Sequence, residues 1–196
     1  MCWNWQVSLT TWLIATLCAV VLIQRKRPND VTLAIVLLVY SSIQLWEALM
    51  WLDPSCGTMN QFATYAAYYA LYAHLLAFGI GLYIENQLVI PLVLGVLTML
   101  LAVALQPKMQ CSVPSKNCGH LKWGFNTDFY KYVFWTCLVI AFAYFRPLTP
   151  ALLVFAMLGL SFMLSYFFFH KDAVASMWCF IAAAAGPLFL WFNRAR

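Results

Sequence analysis

The sequence predicts an all-α protein of the membrane, one domain (residues 1-196) built as a seven-transmembrane-helix bundle. Three observations lead there. The chain is 65% hydrophobic and only 9% charged, with a mean hydropathy of +0.82, a balance that a water-soluble domain of this size does not sustain. Charged and Pro/Gly/Asn clusters cut it into seven apolar stretches, each close to the ~20 residues needed to cross ~30 Å of hydrocarbon. Most links between the stretches are only a few residues long, so neighbours run antiparallel.

The spans fall at about 5-24, 31-52, 61-85, 88-106, 127-146, 149-169 and 174-193. The first is a membrane helix rather than a signal peptide: Trp3-Asn4-Trp5-Gln6 is not a basic start, and the apolar run continues to Gln24 without a small-residue cleavage site. The second closes before Asp53-Pro54, and the third runs to Glu85-Asn86-Gln87. Gln106-Pro107 ends the fourth and opens the longest loop, Lys108 to Asn126. Arg146-Pro147-Leu148 divides the fifth from the sixth, and His170-Lys171-Asp172 the sixth from the seventh.

Basic residues orient the bundle. Arg25, Lys26, Arg27, Arg146, Arg194 and Arg196 fall on one side, and Lys108, Lys116, Lys122, Lys131 and Lys171 on the other. The totals are close, but the arginine-rich first loop is short and early, where the positive-inside bias acts most strongly. The amino terminus is therefore expected outside and the carboxyl terminus in the cytoplasm. The net charge of +5 then reflects topology and contact with anionic lipid headgroups. Without a basic stripe or a readout module, nucleic acid is not an expected partner.

Of seven cysteines, Cys2, Cys56, Cys111 and Cys118 lie on the expected outer side, where an oxidising environment allows two disulfides in any of three pairings. The short Cys111-x6-Cys118 spacing makes a local bridge the favoured pairing. His120 stands nearby, but with Cys111 and Cys118 it makes too small a set for zinc. No metal or cofactor is expected.

Glu47 is the most informative residue. A carboxylate inside an apolar span costs several kcal/mol unless paired, protonated or wetted, so it is a functional-site hypothesis by default. At 100° per residue, Tyr40, Gln44, Glu47 and Trp51 share one stripe of the second helix, which should face the bundle interior. On the third helix Tyr65, Tyr68, Tyr69, Tyr72, Gly79 and Tyr83 share a face. Ala63, Ala66, Ala67, Ala70, Ala77 and Gly81 make the opposite one, with His74 among them. Small residues at such spacing allow close helix approach. They would serve internal packing or a homo-oligomer equally well.

At 1.5 Å per residue, Glu47 lies ~9 Å in from the outer end and His74 ~20 Å in, which argues against a direct pair. Tyr65, Tyr68 and Tyr69 of the third helix match the level of Glu47, as do Ser176, Trp178 and Cys179 at the start of the seventh. Ala182 to Ala185 would allow close approach there, and Pro187 should kink that helix.

Gln44-x2-Glu47-x3-Trp51 in the second helix and Ser176-x-Trp178-Cys179-Phe180-x-Ala182-Ala183 in the last resemble a loosely defined, functionally uncharacterised group of seven-span proteins from bacteria, algae and large DNA viruses. The resemblance covers the topology of most of the chain and about a dozen residues in detail. It implies a shared fold and a polar cluster of Gln44, Glu47, Trp51, Ser176, Trp178 and Cys179 between the second and last helices. It implies no substrate.

Other seven-span classes lack their chemistry here. Residues 174-193 contain no lysine for a retinal Schiff base, and neither the Tyr83-Ile84-Glu85-Asn86 end nor Gly186-Pro187-Leu188 matches the signatures of a G-protein-coupled receptor. Zinc-dependent membrane amidases need several intramembrane histidines, and only His74 is deep in a span. No Cys-x2-Cys pair, Gly-rich phosphate loop, Gly-x-Ser-x-Gly elbow or His-Glu-x2-His motif occurs.

Three functions fit what is left. The first is a small channel or transporter in which Glu47 handles a proton or small cation, tuned by Gln44, Tyr40 and Ser176, with His74 continuing a path inward. The second is a structural or accessory membrane protein, in which Glu47 is a packing hydrogen-bond donor and Trp51, the tyrosines, Trp178 and Cys179 pack around it. The third is a membrane-embedded lipid-modifying enzyme, for which Glu47, Ser176 and Cys179 are only a fragment of the needed set, and no catalytic residue can be named.

Overall fold

The computed structural model describes residues 4–116, 120–125, 130–144, 159–160, 163–165, 167 and 186–192. They form a mostly helical chain. Helix α1 spans Trp5–Arg25, α2 Asp30–Leu52, α3 Thr58–Asn86, α4 Val89–Ala104, α5 Tyr130–Tyr144 and α6 Gly186–Phe192. Among the described residues, α1, α2 and α3 are long and apolar enough to cross a membrane.

Local chemistry sets most of these ends. The side chain of Asn4 accepts the Val7 N–H at 3.0 Å and starts α1. Asp53 precedes Pro54, a position that disfavours helical backbone, and α2 stops at Leu52. The carboxylate of Asp53 then accepts the N–H groups of Gly57 (3.1 Å) and Asn60 (3.0 Å), so the residue that closes α2 also caps α3. Pro91 sits in the first turn of α4, where its missing N–H costs nothing.

Two expectations about length change. The 29 residues of α3 run ~43 Å at 1.5 Å per residue, well beyond a span of 61-85. The fourth span, expected over 88-106, ends at Ala104 after 16 residues and is only ~24 Å long. Gln106 lies before Pro107, which disfavours helical backbone there and stops α4 early.

α1 buries Ser8, Thr11, Ala15, Cys18, Ala19 and Leu22, one face at helical spacing, and exposes Leu13, Ile14, Leu17, Val20 and Val21 on the other. α2 lies against both α1 and α3, and α4 packs on the far side of α3. The crossings are tight. A Cβ on Gly81 of α3 would fall 2.5 Å from the Cα of Thr32 in α2, one on Gly79 2.5 Å from the Cα of Leu92 in α4, and one on Gly95 of α4 2.5 Å from the Cα of Leu76. Gly79 and Gly81 therefore serve packing within the chain, and the alanine face of α3 is buried with them at Ala63, Ala67, Ala70 and Ala77.

The all-α expectation needs one addition. The long loop holds a β-ribbon, β1 (Val113–Pro114) antiparallel to β2 (Leu121–Lys122), with Val113 opposite Lys122 and Pro114 opposite Leu121. Bonds from Ser115 N to His120 O (2.7 Å) and from Gln110 N to Gly124 O (2.8 Å) flank it. Gly124 is required here: a Cβ would lie 1.9 Å from the carbonyl oxygen of Gln110. The sixth span (149-169) and most of the seventh (174-193) lie outside the described residues, apart from helical residues at 159–160, 163–165 and 167 and α6 itself.

Candidate functional site

Glu47 is 2% exposed and Gln44 fully buried, both on the inward stripe of α2. Gln44 Nε2 donates to Glu47 Oε2 at 2.8 Å, a bond set by their i, i+3 spacing. The second donor comes from far along the chain: the indole Nε1–H of Trp123 reaches Glu47 Oε1 at 2.9 Å. Each carboxylate oxygen thus accepts an N–H from a neutral group. Tyr40, one turn before Gln44 on the same stripe, is buried as expected.

An amide has two arms, and only one of Gln44's is used. Its Nε2 serves Glu47, while its carbonyl Oε1 is buried with no hydrogen-bond partner among the described residues. An unmet buried acceptor costs ~1–3 kcal/mol and calls for an explanation. The orientation follows from charge, since turning the amide over would set its oxygen against the carboxylate.

Trp123 belongs to the loop between α4 and α5, which is tied down at three points. The first is a disulfide between Cys56 and Cys111, with their Cα atoms 5.5 Å apart. This overturns the expected local Cys111–Cys118 bridge: the loop folds back over the α2–α3 turn, bringing Cys111 beside Cys56, so the shortest spacing in sequence does not decide the pairing. The second is Asn60, fully buried in the first turn of α3. Its Nδ2 donates to the carbonyls of Ser112 (2.7 Å), Asp53 (3.0 Å) and Met50 (3.3 Å), and its Oδ1 accepts the Ser112 N–H at 3.1 Å. Thr64, one turn on, meets the Ser112 hydroxyl at 3.0 Å, and that hydroxyl accepts the Gly124 N–H at 3.0 Å. The third is aromatic: Phe125 stacks on Trp123 with centroids 5.3 Å apart and meets Tyr68 edge-on at 5.5 Å.

The tyrosines expected beside Glu47 serve other partners. Tyr68 donates to the carbonyl of Ala102 at 3.0 Å and so ties α3 to α4. Tyr69 donates to the side chain of Gln106, and Tyr65 is 40% exposed. They diverge because a tyrosine hydroxyl stands far from its own backbone and reaches past the α2–α3 seam to the end of α4. The tyrosine face is therefore split, with Tyr68 and Tyr72 buried and Tyr65 and Tyr83 exposed. Trp51 is half-buried against the core.

His74 is buried against Tyr40, ring centroids 4.8 Å apart. Its Nδ1 lies 2.8 Å from the carbonyl of Leu71, which can only accept, so Nδ1 carries the proton. Tyr40, Gln44 and Glu47 thus share one buried stripe of α2, which His74 of α3 meets at the Tyr40 ring. Ser176, Trp178 and Cys179, expected at the same level, lie outside the described residues, as do Cys2 and Cys118.

At the opposite end of α2, Arg25 makes a bidentate pair with Asp30 (2.8 and 2.7 Å) and donates to the carbonyl of Leu190 in α6 at 3.0 Å. Glu85, from the end of α3, accepts the N–H groups of Val31 and Thr32, both at 3.2 Å, and the Thr32 hydroxyl. Asn29 makes no side-chain cap, so the first turn of α2 is capped by another helix. Asp53 titrates outside the spans. The Asn60 N–H holds its carboxyl below the usual range against an opposing effect of desolvation, helped by Gly57, Ser55 and Met59.

Sequence reasoning missed Trp123, Asn60, Thr64 and Ser112. The polar pair Asn60 and Thr64, one turn apart on α3, was the available signal. Nothing local marked Trp123. Among the described residues no group of three or more His, Cys, Asp or Glu is placed to hold a metal ion. No protein-family model matches the chain, and no significant match occurs among curated proteins or solved structures.

Proposed function

We propose that this chain is a small integral membrane channel or transporter in which Glu47 takes up a proton or small cation at a site closed from the outer side by the Trp123 loop. One observation carries the reading: an acid buried in an apolar helix accepts N–H groups from two neutral side chains among the described residues, one of them on a separate loop. Donors of this kind stabilise a carboxylate without carrying charge themselves, a feature that a cation site can share. The loop supplies the closing element. Displacing Trp123 would open Glu47, and the stripe through Gln44 and Tyr40 to His74 would continue inward.

The reading includes seven spans, an outside amino terminus and a cytoplasmic carboxyl terminus. It also includes the polar cluster with Ser176 at the start of the last helix, in keeping with the seven-span group of bacteria, algae and large DNA viruses. The arginine count and the disulfide between Cys56 and Cys111, both on the expected outer side, support that orientation.

A second reading has its own support. The bond from Trp123 to Glu47 fastens a loop to the bundle, as a purely structural acid would. Proton and sodium flux into proteoliposomes, wild type against Glu47→Gln, separates the two. Flux lost in a folded variant supports transport. Flux absent from the wild type, with the loop loosened in the variant, supports the anchor.

A further inference from the structure

We propose that the carbonyl oxygen of Gln44 is a coordinating atom for a small monovalent metal cation held beside Glu47. This rests on the transport reading and narrows its cargo. The Gln44 side chain is fully buried, its Nε2 is committed to Glu47 Oε2 at 2.8 Å, and its Oε1 has no hydrogen-bond partner among the described residues. Buried carbonyl oxygens left in this state are uncommon, and an absent ligand accounts for this one.

The ligand's chemistry follows from which species repairs the deficit. A proton entering the site goes to the carboxylate, because an amide oxygen is not basic. With Gln44 unchanged, Oε1 is left as it was. With the amide reversed to accept the new O–H, the –NH2 arm takes its place as the unmet group. A proton therefore exchanges one unmet group for another. A metal cation on Oε1 removes the deficit and leaves the bond from Nε2 to Glu47 in place. That bond also polarises the amide and makes its oxygen a better ligand.

Valence follows from carboxylate charge: calcium sites usually gather several carboxylates and magnesium keeps most of its water, whereas the single carboxylate beside Gln44 among the described residues matches a singly charged ion, whose remaining ligands would be other carbonyls or water.

The test uses sodium as the probe, on full-length protein in proteoliposomes and nanodiscs. Sodium replaces N-methylglucamine at fixed pH and ionic strength. Sodium is expected to raise the unfolding temperature and to be taken up. Gln44→Leu should weaken apparent sodium affinity about tenfold, the effect of losing one good ligand. Gln44→Glu keeps oxygen ligands, adds charge and should strengthen the response; it decides the matter if the leucine variant does not fold. Wild type and Gln44→Glu that both ignore sodium overturn the inference, as would a bound water at Oε1 with no sodium dependence. If proton uptake then persists and is lost in Glu47→Gln, the transport reading stands with a proton as cargo. If neither ion moves, both fall.

Discussion

The Nε1–H of Trp123 donates to Oε1 of Glu47 at 2.9 Å across 76 positions of sequence. A loop tryptophan and an acid buried in an apolar helix are thereby a single unit, and what happens to one is felt by the other. Trp123→Phe keeps most of the ring and removes the donor. It should destabilise the protein by about 1.5–3 kcal/mol, the range for a hydrogen bond to a charged group. Thermal unfolding in detergent measures this. Faster amide exchange confined to 106–125 would locate the loss in the loop.

Peptide mapping without reduction should recover Cys56 joined to Cys111. Replacing both by alanine releases a link across 55 positions, worth about 4 kcal/mol on a chain-entropy estimate for a loop of that length. Unfolding of the variant compared with wild type checks the size. A Cys111–Cys118 peptide as the main product would refute the pairing.

Gly81→Ala places a methyl 2.5 Å from the Thr32 backbone, where neither helix can yield without moving. A loss of about 1–3 kcal/mol is expected from overpacking at this crossing. Gly159→Ala meets nothing within 4 Å and is the control. Equal unfolding temperatures for the two variants would contradict so close a crossing.

Glu85→Ala removes the acceptor for Val31, Thr32 and the Thr32 hydroxyl, leaving the first turn of α2 uncapped. The expected loss is about 1–2 kcal/mol, as for other helix caps. Glu85→Gln keeps one oxygen acceptor and should lose less. Chemical unfolding of the two variants in detergent gives the ranking, and equal losses would deny the capping role.

Asp53 provides a pH test with a definite sign. Its carboxyl is held below the ordinary value by the Asn60 N–H, so the folded form binds a proton less readily than the unfolded chain. The stabilisation is therefore fully present above the unfolded pKa of ~3.9 and fades as pH falls through the lower folded value. Asp53→Asn should flatten the acid side of the stability curve while leaving its slope near neutral pH unchanged. An unaltered acid limb would show that Asp53 is not one of the groups responsible.

Local patterning in the sequence was enough to find the long helices. Apolar runs ending at Arg25, Asp53-Pro54 and Glu85-Asn86-Gln87 marked α1 to α3 within a few residues, because helix ends depend on nearby capping and proline chemistry. The same 3.6-residue period placed Tyr40, Gln44 and Glu47 on one inward stripe, and the cost of an exposed charge in an apolar span singled out Glu47. Tertiary structure decided the rest. Trp123, the pairing of Cys56 with Cys111, and the capping of α2 by Glu85 join residues 53 to 76 positions apart. The path of the connecting loop sets such contacts, and no periodicity along the chain records it. The unmet oxygen of Gln44 belongs to the same class, since only the arrangement of every neighbouring donor determines whether a buried acceptor is satisfied.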